Sequence, residues 1–149
     1  MNWTKDKSLL LSQGCVLLFA ALLLALDVGA PWLARWLGAY GAQEQPGAAA
    51  LLVCIYAGSV FAWLCLWELW RLLGAIRRGL VFTEENVRAM RRVSWCCVGA
   101  AAVALCAALW YPSMLVICAA AGFMALIVRI VKNAFQQAMA MKDELDLTV

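Results

Sequence analysis

The side chains able to do chemistry are few, and their spacing narrows what they can do. The chain contains no histidine, which removes the commonest general base and the commonest transition-metal ligand. No Ser/His/Asp set can form without it. Seven cysteines are present: Cys15, Cys54, Cys65, Cys96, Cys97, Cys106 and Cys118. None makes a Cys-x-x-Cys pair, and all lie in or at the edge of apolar runs, so no disulfide framework is visible. They read as small, soft packing residues. The neighbouring Cys96 and Cys97 point in different directions on a helix, so they are not expected to share a metal. No phosphate loop or dinucleotide fingerprint occurs. The sequence therefore predicts no catalytic residue, no metal, no cofactor and no enzyme.

Four ionisable residues fall inside or at the ends of apolar runs: Asp27, Glu68, Arg129 and Lys132. Charges in lipid are costly and suggest function by default. Depth tempers this. Asp27 reads as near the outer end of the first run, with Arg35 its nearest candidate partner. Glu68 and Arg129 reach similar depth near the inner ends of the second and fourth runs. They are expected to face each other as a structural pair, and replacing either alone should harm folding. A proton-coupled exchanger of the small multidrug type would need a mid-membrane carboxylate in its first helix, and Asp27 reads as too close to the edge. Lys132 and Arg129 can extend to the headgroups.

The elements that carry these residues follow from composition. Of 149 residues, 66% are hydrophobic and 14% charged, and mean hydropathy is +0.85. A soluble domain is about 45–50% apolar and about 25% charged. A chain this small cannot hide that much apolar surface from water. The expected fold is all-α: an integral membrane bundle of four transmembrane helices in one domain. The spans are 8–30, 47–70, 93–110 and 113–134, with a connecting segment over 71–92 and a tail over 135–149. The first run is too long for a signal-peptide core, and Pro31 follows the small-residue site where cleavage would fall. Residues 34–40 could form a short interfacial helix. Trp110-Tyr111-Pro112 is a tight turn that makes spans three and four antiparallel neighbours.

Eleven of the twelve basic residues fall at the two termini and in segment 71–92; only Arg35 lies in the first connection. By the positive-inside rule, both termini and segment 71–92 are cytoplasmic. Trp3, Trp32, Trp36, Trp67, Trp70, Trp95 and Trp110 fall near the ends of runs, as in an aromatic belt. Small residues let helices approach in lipid. Ala100, Ala104 and Ala108, with Gly99, face that role in span three, and Ala119 to Gly122 in span four. The central contact is expected between these two spans.

Segment 74–92 is the most specific stretch. Gly79 permits a turn. Thr83 is a good N-cap, Glu84 and Glu85 suit the dipole of a starting helix, and Phe82 with Val87 fits a hydrophobic staple. A helix is predicted to start at Thr83 and run into span three. Beyond span four, Ile130, Val131, Phe135, Ala138 and Met139 keep helical spacing. Residues 143–149 then alternate polar and apolar, as an extended strand would. Such a strand could add to a partner's sheet edge or fold back so that its acids meet Arg77 and Arg78, which is the favoured expectation.

Gly79-Leu80-Val81-Phe82-Thr83-Glu84-Glu85-Asn86-Val87 with Arg91-Arg92, and the tail Asp143-Glu144-Leu145-Asp146-Leu147-Thr148-Val149, resemble the bacterial family called domain of unknown function 2975. The resemblance covers nearly the whole chain; the tail ends in Val149 where relatives often carry isoleucine. The residues that match are Gly79, Phe82, Thr83, Asn86, Asp146, Leu147 and Thr148. The family has no assigned activity, and members often stand beside a small helix-turn-helix regulator. The resemblance thus implies a regulatory or interaction protein of the bacterial inner membrane. A small transporter or ligand sensor using Asp27 and Glu68 is the alternative. Expected partners are the lipid bilayer, a cytoplasmic protein and a second copy of the chain, with no direct nucleic-acid binding.

Overall fold

The computed structural model describes residues 3–40, 47–80, 82–109 and 111–148. These form four helices and no strand: α1 (Trp3–Tyr40), α2 (Gly47–Arg77), α3 (Glu84–Ala108) and α4 (Met114–Leu147). Each is long and apolar enough to cross a membrane. The chain is all-helical with four such helices, as expected.

The helices stand in a row. Among the described residues, α1 packs on α2, α2 on α3 and α3 on α4, and no other pair brings Cα atoms within 8 Å. Phe61 lies against Gly99 and Glu68 against Arg92, so α2 and α3 run antiparallel in one register. Ser94 donates to the Ala125 carbonyl and Phe82 stands against Phe135, which fixes α3 and α4 likewise. The expected contact of spans three and four is present. Its inward seam on α4 is Cys118, Ala121, Ala125, Val128, Lys132 and Phe135, at three- and four-residue steps. Gly99 does different work from that expected. A Cβ there would fall 2.6 Å from the Phe61 ring, so Gly99 admits α2, not α4.

Two expectations about helix ends are overturned. The first helix does not stop before Pro31 but runs through it to Tyr40, which leaves no separate interfacial helix over 34–40. Proline removes one N–H and frees the carbonyl four residues earlier, and here that carbonyl, of Asp27, accepts from the Tyr56 hydroxyl at 3.3 Å. A membrane helix tolerates proline when a neighbour satisfies the freed group in this way. The tail is not a strand. α4 continues to Leu147, because Ala138, Met139, Ala140, Met141, Lys142, Glu144 and Leu145 are good helix formers that extend an existing helix without a nucleation cost. Trp110, Val81 and Val149 lie outside the described residues.

Candidate functional site

Polar chemistry collects at four places along the row. The first joins α1 and α2. The Trp63 indole donates to Asp27 Oδ2 at 3.0 Å, while Tyr56 caps the Asp27 carbonyl. Asp27 Oδ1 is buried and has no hydrogen-bond partner. Asp27 faces Tyr56 and Trp63, which lie on either side of the middle of α2 (Gly47–Arg77) and not at its end. It is therefore deeper than expected, and the argument from its position at the membrane edge fails. Its partner is Trp63, not Arg35.

The second place joins α2 and α3. Glu68 is paired with Arg92, not with Arg129. Arg92 Nε lies 2.6 Å from Oε1, and a terminal guanidinium nitrogen donates to Oε2 at 3.0 Å, a two-pronged fit. The Glu68 side chain is 12% exposed and that of Arg92 51%. The expected partnership fails because α2 and α4 do not meet among the described residues: α3 stands between them, and its own arginine takes Glu68. One turn deeper, Cys97 of α3 and Cys65 of α2 stand near each other across the same interface. Cys96 and Cys97 do point differently, but the relevant pairing crosses helices and could be found only from the α2–α3 register. Among the described residues no cluster of three His, Cys, Asp or Glu could hold a metal.

The third place is the joint between α2 and α3, where Gly79, Phe82, Thr83 and Asn86 come together. Gly79 takes φ +76°, and its N–H donates to the Ile76 carbonyl at 3.0 Å while Leu80 N–H donates to Ala75 at 3.1 Å. That pair of bonds closes the helix end as a Schellman motif, in which glycine is favoured because other residues pay a steric cost at positive φ. Thr83, with extended backbone, then caps α3, and its Oγ1 accepts from the Asn86 N–H. Asn86 is buried and its side-chain amide donates back to the Leu80 carbonyl at 2.6 Å. The helix start at Thr83 is as expected. Val87 is buried, and the Phe82 ring rests 5.6 Å from Phe135 on α4. The motif is thus a clasp that ties three helices together. Phe135 is the member that sequence reasoning had placed only on a helical stripe.

The fourth place is the α4 end. Residues 141–148 are all exposed, including Met141, Leu145 and Leu147. Asp146 and Leu147 occupy the final turn, and Thr148 closes it by donating to the Glu144 and Leu145 carbonyls. No ion pair joins this end to Arg77 or Arg78 among the described residues; Arg78 instead donates to the Gly74 carbonyl. The fold-back is therefore replaced by a protruding helix. Arg129 is exposed beside the α3–α4 seam, where it lines a cavity with Arg91 and Lys132.

Four helices, each long and apolar enough to cross a membrane, define a multi-pass membrane protein. The family model described as "Protein of unknown function (DUF2975)" matches residues 14–149, and the chain belongs to that family. Comparison with curated proteins and with solved structures gives no match.

Proposed function

We propose that the chain is a membrane-anchored interaction protein of the bacterial inner membrane and not an enzyme, and that its α4 end is presented to a cytoplasmic protein such as a small helix-turn-helix regulator. The observation that supports this is the helical continuation of α4 through residues 141–147, each of them exposed, carrying Met141, Leu145 and Leu147 with three carboxylates. Met141 and Leu145, four residues apart, share one face, and helices that expose apolar anchors at such spacing are a common form of peptide recognised by a partner's groove. The orientation belongs to the same reading: the α4 end shares its side with the basic joint, which the positive-inside rule assigns to the cytoplasm. The test is co-purification of the full chain from native membranes after photo-crosslinking at position 145. A stoichiometric DNA-binding protein, lost in Met141→Glu/Leu145→Glu, is expected. A complex unaffected by that change, or crosslinks to lipid alone, would sink the reading.

A second reading, a small transporter or ligand sensor, is favoured by one observation: the buried, unpartnered Oδ1 of Asp27, level with the middle of α2. Glu68 contributes nothing to it, since both its oxygens are taken by Arg92. Asp27→Asn keeps an acceptor for Trp63, so a transport or sensing role shows as lost ligand response with unchanged stability.

A further inference from the structure

We propose that α3 and α4 form a binding site for the phosphate headgroup of an anionic phospholipid, in a cavity of about 290 Å³ lined by Arg91, Ser94, Trp95, Val98, Arg129 and Lys132. The Ser94–Ala125 hydrogen bond sets the register. Moving from it toward the joint, Arg91 is one turn away on α3 and Arg129 one turn away on α4, so the two guanidinium groups come level, with Lys132 a further turn on. Moving the other way, Trp95 and Val98 line the wall that faces the middle of the membrane, and they are 68% and 45% exposed. The cavity is therefore cationic at one end and apolar at the other.

No carboxylate neutralises the cationic end. The ion pairs among the described residues are Arg88–Glu84 and Arg92–Glu68, which leaves Arg91, Arg129 and Lys132 without one. Two acids, Glu84 and Asp143, line the adjoining groove that Arg91 also borders. Three uncompensated cations at the headgroup level attract an anionic phosphate, as basic pockets between transmembrane helices do. A free phosphate would satisfy the cations and leave Trp95 and Val98 bare; a phospholipid covers both, with its headgroup on the cations and an acyl chain along the apolar wall. This also accounts for the place of Arg129, which Arg92 displaces from Glu68.

The test is native mass spectrometry of the full chain with phosphatidylglycerol, phosphatidylcholine and inorganic phosphate. One tightly held phosphatidylglycerol per chain is expected, with phosphatidylcholine far weaker and excess phosphate unable to displace it. Arg129→Gln and Lys132→Gln should each weaken binding about fivefold, and Arg91→Gln/Arg129→Gln/Lys132→Gln on the order of a hundredfold. Arg77→Gln/Arg78→Gln, which removes charge from the joint, should leave it unchanged. Circular dichroism checks that each variant is folded, and the two single variants decide the matter if the triple one is not. Equal retention in the variants and wild type, equal weakening in the Arg77/Arg78 control, or displacement by phosphate would overturn the lipid site.

Discussion

α3 and α1 are both long membrane helices, and they are held in opposite ways. α3 lies between α2 and α4 and contains most of the buried residues, including Asn86, Val87, Met90, Val93, Ala104 and Ala107. α1 touches only α2, and its buried residues among the described side chains are Ala30 and Ala34. Yet α3 is the least apolar of the four helices. In water that order would be reversed. In lipid there is no hydrophobic gain from hiding leucine against another helix, so small residues and paired polar groups select what becomes buried. The leucines of α1 are then free to face acyl chains, and the polar residues of α3 are spent on neighbours.

The largest effect should come from the ion pair that fixes α3 on α2. Glu68→Gln leaves Arg92 with a neutral partner and should lower stability by about 2 kcal/mol; the half-exposed arginine, still able to reach water, keeps the loss below that of a fully buried pair. Melting of the detergent-solubilised chain, followed by tryptophan fluorescence, measures it. Reversal at both positions, Glu68→Arg/Arg92→Glu, should recover part of the loss. Arg129→Glu in the Glu68→Arg background should recover none, and recovery there would restore the α2–α4 pairing that the row arrangement forbids.

Gly99→Ala tests the close approach on the same interface. The added methyl meets the edge of the Phe61 ring at three atoms, 2.6 to 2.9 Å away, so the ring must turn or the helices part. Overpacking of this kind costs about 1–3 kcal/mol, and here a value near 1 is expected, because one ring can move. The same change at Gly14 or Gly58 meets nothing within 4 Å and should be neutral or better. Thermal melts of the three variants check the order. A Gly99 variant as stable as the other two would show that α2 and α3 are looser than their register implies.

Much of this was legible in the residues. Runs of apolar residues locate four helices, and Thr83 followed by Glu84 and Glu85 announces the start of α3, because capping is local chemistry written in adjacent positions. Partner choice was not legible. Glu68 and Arg129 match in depth, but depth says nothing about which helices are neighbours, and only the row order reveals that α3 intervenes. Pro31 misleads for a similar reason. It ends a helix unless something satisfies the carbonyl it frees, and that something is Tyr56, 29 residues away from Asp27. The tail misleads because its alternation competes with the propensity of a helix already under way, and the helix wins.

On the α1 side the effects should be small and should leave α3 in place. Interhelical hydrogen bonds in membranes average about 0.6 kcal/mol, so Tyr56→Phe and Trp63→Phe should each cost about that much and loosen α1 without disturbing the clasp at Gly79 to Asn86. The proline supplies the sharper test. In Pro31→Ala, residue 31 regains an N–H that can donate to the Asp27 carbonyl, the group that Tyr56 otherwise caps. Tyr56→Phe should then cost less in the Pro31→Ala background than in the natural one, a coupling that a double-mutant cycle of melting free energies reads directly. Trp63→Phe should cost the same in both, since its bond goes to the Asp27 side chain and not to the backbone. If Tyr56→Phe is equally costly in both backgrounds, the tyrosine holds α1 by packing alone. The contrast between α1 and α3 would then rest on the Asp27–Trp63 bond as the polar tie that Asp27 keeps to α2.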